Sequence, residues 1–287
     1  MCIKLPFVLA RRFVAGETLD KTLPVVDRLL ADGLFVSLDL LGEHVDDRQA
    51  AEAYTHDYVD LVQRLAHRRG GGDANISIKL SMIGQVIDHD FCVANLKRLL
   101  TVARQTHTFV RLDMEDGDLT QSTINILEEV HPDFGNYVGV VLQAYLKRTE
   151  RDVERMCELK ARVRLCKGAY REPPELAHQD MVTIREQFRQ YMRMLLLHAR
   201  YPAIATHDDE LINATKAFAT EAAIDPNDFE FQMLYGIRAE TQRNLVAEGY
   251  NMRVYVPYGT QWLPYFSRRL RERKENVGFL VKNLLRK

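Results

Sequence analysis

What most constrains the fold of this chain is a rhythm. Short β-rich apolar runs alternate with longer segments of helical character, and the alternation repeats eight times. The β-rich runs are "LFVSLDLLG" (34–42), "NISIKLS" (75–81), "TFVRLDME" (108–115) and "YVGVVLQAY" (137–145), then "VRLCKGAY" (163–170), "PAIATH" (202–207), "FEFQML" (229–234) and "MRVYVPYG" (252–259). Between them, segments such as "AEAYTHDYVDLVQRLAHRR" carry apolar residues at i, i+3, i+4 and i+7, the stripe of a helix packed on one side. Strands alternating with helices predict a parallel sheet. Eight such units in 287 residues fit a (β/α)8 barrel of the α/β class better than an open sheet.

Other sequence features narrow the field. No G-x-G-x-x-G turn follows the first strand, so a dinucleotide-binding open sheet has little support. The glycine run 70–72 lacks the Lys-Ser/Thr partner of a phosphate loop and is expected to be a plain connection. No linker or low-complexity segment interrupts the chain. One domain is therefore expected over 1–287, with a short helical extension over about 1–33. Lys and Arg number 39 against 40 Asp and Glu, so no global basic field draws the chain to nucleic acid. Four cysteines form no C-x-x-C pair, which points to a reduced, cytoplasmic chain. No segment approaches the roughly 18 apolar residues that would cross a bilayer.

In a barrel, chemistry is built at the C-terminal ends of the strands. Polar residues gather there along this sequence: Asp39 and Glu43, Lys79, Asp113 and Glu115, Gln143, and Arg164 with Lys167 and Tyr170. Thr206-His207-Asp208, Gln232 and Tyr255 continue the series. One such residue usually caps the next helix or pairs with a neighbour; a set spread over nearly every strand marks a site. Lys79, flanked by Ile78 and Leu80, is costly on a buried strand unless paired. Asp113 and Glu115, two apart, are expected on one strand face. His207 has no partner histidine at another strand end, so no metal site is expected. No G-x-S-x-G elbow is present. The remaining set, Lys79, Arg164 and Lys167 with Asp113, Glu115 and Gln143, suits an anionic small molecule or a large polar cofactor.

After the eighth strand runs "GTQWLPYFSRRLRERKEN". On a helix, Tyr265, Arg268, Arg269, Glu272 and Asn276 fall within an arc of about 100°. Two guanidiniums on one face can clamp a carboxylate or phosphate through paired planar donors, and Glu272 is close enough to orient either. Arg271, Arg273 and Lys274 point elsewhere, as ordinary exposed charges.

The strings "DLLGE", "SIKLS", "RLDME", "VVLQAY", "RLCKGAYRE", "IATHD", "FEFQMLYGIR", "VYVPYGTQWLPYF" and "RRLRERKEN", in that order, resemble the proline dehydrogenase family in its bacterial, single-function form. The resemblance spans about Leu34 to Asn276. It implies a distorted (β/α)8 TIM barrel with the C-terminal helix closing over the mouth, and non-covalent FAD inside. It further implies oxidation of L-proline to Δ1-pyrroline-5-carboxylate, with electrons passed to a membrane quinone and room for peripheral contact at the inner face of the membrane. Residue by residue, it assigns Lys79, Arg268 and Arg269 to the proline carboxylate, and Leu234, Tyr255 and Tyr265 to the ring. Asp113 and Arg164 would stand at the reacting centre. Met114, Gln143, Arg164, Lys167, Gly168, Ala169, Thr206, His207 and Glu272 would hold the flavin, and Glu43 would gate the mouth by pairing with Arg268. Tyr255 would crowd a ring substituent and so favour proline over hydroxyproline. Arg171 and Asp208 depart from the family pattern, which commonly has an aromatic residue and an asparagine there. Two rival readings remain: a Schiff-base lyase acting through Lys79 or Lys167, and a nucleic-acid binder using the closing helix, which the balanced charge disfavours.

Overall fold

A computed structural model describes residues 7, 10–66, 68 and 73–272, with 270–272 described by backbone alone. Eight parallel strands close into a barrel in sequence order. They are β1 (Phe35–Leu40), β2 (Ala74–Ile78), β3 (Val110–Leu112), β4 (Val138–Gln143), β5 (Arg162–Cys166), β6 (Ala203–Ala205), β7 (Glu230–Leu234) and β8 (Asn251–Tyr258). The closing pair runs in register from Phe35 opposite Arg253 to Leu40 opposite Tyr258. Helix α1 (Leu19–Ala31) precedes the barrel. Seven helices connect successive strands: α2 (Arg48–Leu65), α3 (His89–Thr106), α4 (Gly117–Phe134), α5 (Thr149–Glu158), α6 (Met181–His198), α7 (Asp209–Glu221) and α8 (Ala239–Ala247). The last, α9 (Trp262–Glu272), follows β8. This is the (β/α)8 architecture that the alternation predicts.

The helices form as their patterns dictate. In α2, Tyr58, Leu61, Val62 and Leu65 repeat at i, i+3, i+4 and i+7, and all are buried. Each such side chain contributes about 1.5–3 kcal/mol by leaving water. Aspartates start five of the helices: Asp47, Asp88, Asp116, Asp180 and Asp208 each accept a backbone N–H of the first turn. Each cap is worth about 1 kcal/mol.

Two of the strand ends decide where site residues fall. β2 stops at Ile78 and β3 at Leu112, so Lys79 and Asp113 are the first residues beyond the sheet. The Asp113 N–H still donates to Ile78 O at 2.8 Å, after which the chain turns towards the Asp116 cap. Glu115 therefore does not share a strand face with Asp113; its Oε1 accepts from Ser81 Oγ at 2.7 Å instead.

The barrel interior is polar on two levels. At the floor, Arg253 donates through Nε and Nη2 to Glu230 at 2.8 and 2.9 Å, and through Nη2 to Asp73 at 2.8 Å. Its Nη1 donates to the carbonyls of Val36 and Asp73. Gln232, one layer up, donates to Glu230 and accepts from Arg164 Nε at 2.5 Å. A hydrogen-bonded column thus joins the floor to the mouth. Over the mouth, Trp262, Tyr265 and Phe266 of α9 pack with Ala10, Phe13, Val14 and Leu41.

Candidate active site

The C-terminal ends of the strands and the inner face of α9 enclose a cavity of about 830 Å³. That falls in the range that suits a drug-sized or larger ligand, well beyond one amino acid.

Lys79 lies at its base, 5% exposed, with Nζ donating to Asp39 Oδ1 at 2.9 Å. Burial pushes the Lys79 ammonium down, but the adjacent Asp39 and Asp113 carboxylates outweigh it and hold the group charged above its ordinary value. The Asp39 carboxyl moves the other way to most paired acids: burial, reinforced by Asp113, pushes it up against the pull of Lys79. Arg164 is fixed from three sides. Its Nη1 donates to Asp113 Oδ1 at 2.7 Å, its Nη2 to Ser77 Oγ at 2.9 Å, and its Nε to Gln232. Asp113 in turn accepts from the Tyr255 hydroxyl at 2.7 Å, and the Arg164 guanidinium stacks 5.2 Å from the Tyr255 ring. So oriented a cation cannot swing freely, which is the preorganisation a reacting centre needs.

Arg268, Arg269 and Tyr265 project from α9 into the same cavity. Arg268 Nη2 meets Glu43 Oε1 at 2.5 Å and lies over the Tyr170 ring at 5.8 Å. Glu43 itself stands at the rim and does not line the cavity. The Arg269 guanidinium sits 5.1 Å from the Tyr265 ring. Leu234 and Tyr255 complete this end.

Further lining comes from Met114, Gln143, Lys167, Gly168, Ala169, Thr206 and His207. Gly168 has φ +125°, and a Cβ there would lie 2.2 Å from the Tyr145 ring, so only glycine fits. Gln143 holds the segment on both sides: Nε2 donates to Glu115 O at 2.9 Å and Oε1 accepts from the Ala169 N–H at 3.4 Å. His207 Nε2 accepts from the Leu234 N–H at 3.0 Å, which ties the ends of β6 and β7 and requires that nitrogen to be unprotonated. The Glu272 side chain, Asn276, Arg273, Lys274, the Arg271 side chain and the glycine run at 70–72 lie outside the described residues. Among the described residues, no group of three or more His, Cys, Asp or Glu side chains could hold a metal ion.

A family profile described as proline dehydrogenase matches residues 22–282. The chain belongs to the proline dehydrogenase family. It is 40% identical over 278 residues to proline dehydrogenase 1 of Bacillus subtilis subsp. natto, covering 97% of this chain and 91% of that one. It is 38% identical to proline dehydrogenase of Deinococcus radiodurans over 282 residues, with 97% and 90% covered. Among solved structures, it resembles proline utilization A from Bdellovibrio bacteriovorus inactivated by N-propargylglycine, with a TM-score of 0.85 at 26% identity. That match covers 92% of this chain but only 32% of the longer protein. Membership makes the chain an oxidoreductase acting on proline.

The sequence alone does not single out every residue of this cavity. Asp39 was visible at the end of β1, but not as the partner of Lys79. Met181, Arg185 and Arg238 also line the cavity; Met181 and Arg185 lie in no motif of the sequence, and Arg238 closes the string "FEFQMLYGIR" without a role being assigned to it. Asp208, where asparagine is common in the family, accepts from both Lys167 and Arg185 at 2.8 Å and caps α7. A carboxylate at this position gives the two cations a shared counter-charge.

Proposed function

We propose that this chain oxidises L-proline to Δ1-pyrroline-5-carboxylate with non-covalently bound FAD, and that the electrons pass to a membrane quinone. The observation that carries this reading is the convergence of Lys79, Arg268 and Arg269 on one cavity beside the Asp113–Arg164 pair. Three cations around a small carboxylate fix its position and leave the ring carbon turned to the reacting centre. Leu234, Tyr255 and Tyr265 supply the apolar and aromatic surface that a pyrrolidine ring requires. The apolar underside of α9 excludes water, and Glu43 holds Arg268 over the mouth until a carboxylate takes its place.

The rest of the cavity fits FAD. Its volume exceeds what proline occupies, Gly168 leaves bare backbone, and Lys167, Arg185 and Arg238 offer cations suited to a pyrophosphate. Met114, Gln143, Arg164, Lys167, Gly168, Ala169, Thr206 and His207 would hold it, with Glu272 alongside. Bound there, FAD supplies two-electron redox chemistry, and Arg164 offers a positive charge to stabilise the reduced form. Leu176, Met181 and Val182 in and after the β5–α6 loop, with Leu263 on α9, are exposed apolar side chains, which suits peripheral contact with a quinone-bearing membrane. Among the described residues, no helix is long and apolar enough to cross one.

The lyase alternative fits less well. A Schiff-base lysine needs a neutral amine, whereas Lys79 is held charged by Asp39 and Lys167 is paired with Asp208. The nucleic-acid alternative fails on direction, because Arg268 and Arg269 face the cavity. The deciding experiment is a visible spectrum of the purified protein before and after anaerobic L-proline. A flavin spectrum that bleaches is expected; retained flavin colour after L-proline breaks the assignment.

A further inference from the structure

Oxidation of a secondary amine leaves one proton to be placed. At neutral pH proline is a secondary ammonium, and its nitrogen needs a free electron pair before the neighbouring C–H bond can be oxidised. Most acceptors at the mouth are already engaged. Asp113 takes Arg164 on Oδ1 and the Tyr255 hydroxyl on Oδ2, and Glu115 takes Ser81 on both oxygens. Asp39 differs. Its Oδ1 accepts from Lys79, but its Oδ2 is buried with no hydrogen-bond partner among the described residues. Leaving such an oxygen without a donor costs about 1–3 kcal/mol or more, a cost that an arriving proton would relieve. The side chain is 1% exposed and lines the cavity. Tyr255, half-buried on the same cavity, brings its hydroxyl within reach of the Asp39 carboxylate while donating to Asp113. A phenol carries one proton and two lone pairs. Its oxygen can therefore receive a proton from the cavity as its own moves to a carboxylate.

We propose that Asp39 Oδ2 is the final acceptor of the substrate's amine proton, relayed through the Tyr255 hydroxyl, a role resting on the proline-oxidation assignment above. The substrate N–H bond breaks with its electron pair staying on nitrogen, and that proton joins Tyr255 Oη. The Tyr255 hydroxyl turns from Asp113, where it donates at rest, to Asp39, and the phenolic proton crosses to Asp39 Oδ2, leaving a phenol and a carboxylic acid. No electrons leave the substrate in this step. Burial and Asp113 push the Asp39 carboxyl up, which suits a proton acceptor. Burial and Asp113 also push the Tyr255 phenol up, so it passes a proton on without remaining ionised. The titratable and charged groups facing Asp39 are Lys79 after β2, Asp113 after β3, Tyr255 and Tyr258 of β8 and Tyr58 of α2, with Arg164 of β5 behind Asp113.

The test uses the flavin-loaded full chain, L-proline, and tetrahydro-2-furoate, which keeps the ring and carboxylate but has an ether oxygen in place of N–H. Asp39→Asn and Tyr255→Phe should each slow the first turnover with L-proline by roughly 10²-fold near pH 7. That deficit should shrink as pH rises towards the ionisation of the substrate ammonium, because the amine then arrives neutral. Affinity for tetrahydro-2-furoate should stay within about threefold of the unmodified protein, showing an intact clamp. The double variant should be no slower than the slower single one, as expected for two members of one relay. A deficit that does not change with pH, or a matching loss of tetrahydro-2-furoate affinity, overturns the relay and leaves Asp39 only as a support for Lys79. Should Asp39→Asn not fold, Tyr255→Phe decides by the same two readouts. An unmodified protein that L-proline does not bleach overturns the functional assignment itself, and the relay with it.

Discussion

The floor and the mouth of this barrel are both buried and both ionic, yet they are built to opposite ends. At the floor, Arg253 has its donors directed at Glu230, Asp73 and two backbone carbonyls, and Glu230 also accepts from Gln232. Charge meets charge there, and the hydrogen bonding of this trio is closed. At the mouth, Asp39 keeps one oxygen without a donor, and Arg268 leans on a carboxylate at the rim that a ligand can replace. A buried ion network that is complete holds a structure together. One that is incomplete waits for a ligand, and the protein tolerates the cost because the complete one lies directly beneath.

The largest expected effect breaks the floor. Arg253→Met leaves Glu230 buried without its counter-charge and should cost about 3–5 kcal/mol of stability, read by thermal or urea denaturation. Adding Glu230→Leu should recover much of that loss, since replacing both partners of a buried pair is often nearly neutral. If the single change costs less than about 1 kcal/mol, typical of an exposed pair, then the floor is not what supports the mouth.

Acid provides a second test of the floor. Burial alone would raise the Glu230 carboxyl, but Arg253 overrides it and holds the group at about 2, against 4.5 when unfolded. Between those values only the unfolded chain binds the proton. The stabilisation is therefore full above pH 4.5 and is lost as pH falls towards 2, on the order of 3 kcal/mol. Glu230→Gln should flatten this part of the stability profile while lowering stability at neutral pH. An unchanged acid profile in that variant would show that other carboxylates set the acid limb.

The two regions were not equally legible in the sequence. The eight strands could be read because each is a short apolar run flanked by helical periodicity, and Lys79 stood out as a cation among apolar neighbours. The double arginine of α9 could be placed on one face by counting 100° steps. The floor was invisible because Glu230 and Arg253 lie on strands at the end away from the mouth, where no motif signals that an inward position is ionic. The Asp39–Lys79 pair depends on the register of β1 on β2, Asp39 opposite Ser77, which neither strand reveals alone. Glu115 was misplaced because strand alternation was extended past Leu112, where the sheet had already ended.

At the mouth the expected changes are in affinity, not stability. Arg268→Lys or Arg269→Lys keeps the charge but removes the planar pair of donors. Proline affinity should fall by about 10–100-fold, roughly 1.4–2.7 kcal/mol, with the melting temperature nearly unchanged and flavin still bound. Titration with L-proline and with tetrahydro-2-furoate should show the same loss, because both present the same carboxylate. Proline affinity that survives both changes means the arginines do not clamp the substrate, and the distinction between a closed floor and an open mouth loses its main support.

The smallest effect sharpens the comparison most. Glu43 and Arg268 are both partly exposed, at 24% and 22%, so their pair should contribute less than about 1 kcal/mol to stability. If Glu43 only occupies Arg268 until a carboxylate arrives, Glu43→Gln removes a competitor. Proline affinity should then rise, by less than about fivefold at low salt. The gain should fade as added salt screens the exposed pair in the unmodified protein. If instead Glu43 supports the clamp as Glu230 supports Arg253, the same change should weaken proline binding by more than tenfold at any ionic strength. A floor partner fails when it is removed; a mouth partner is meant to be displaced, and Glu43→Gln tells the two apart.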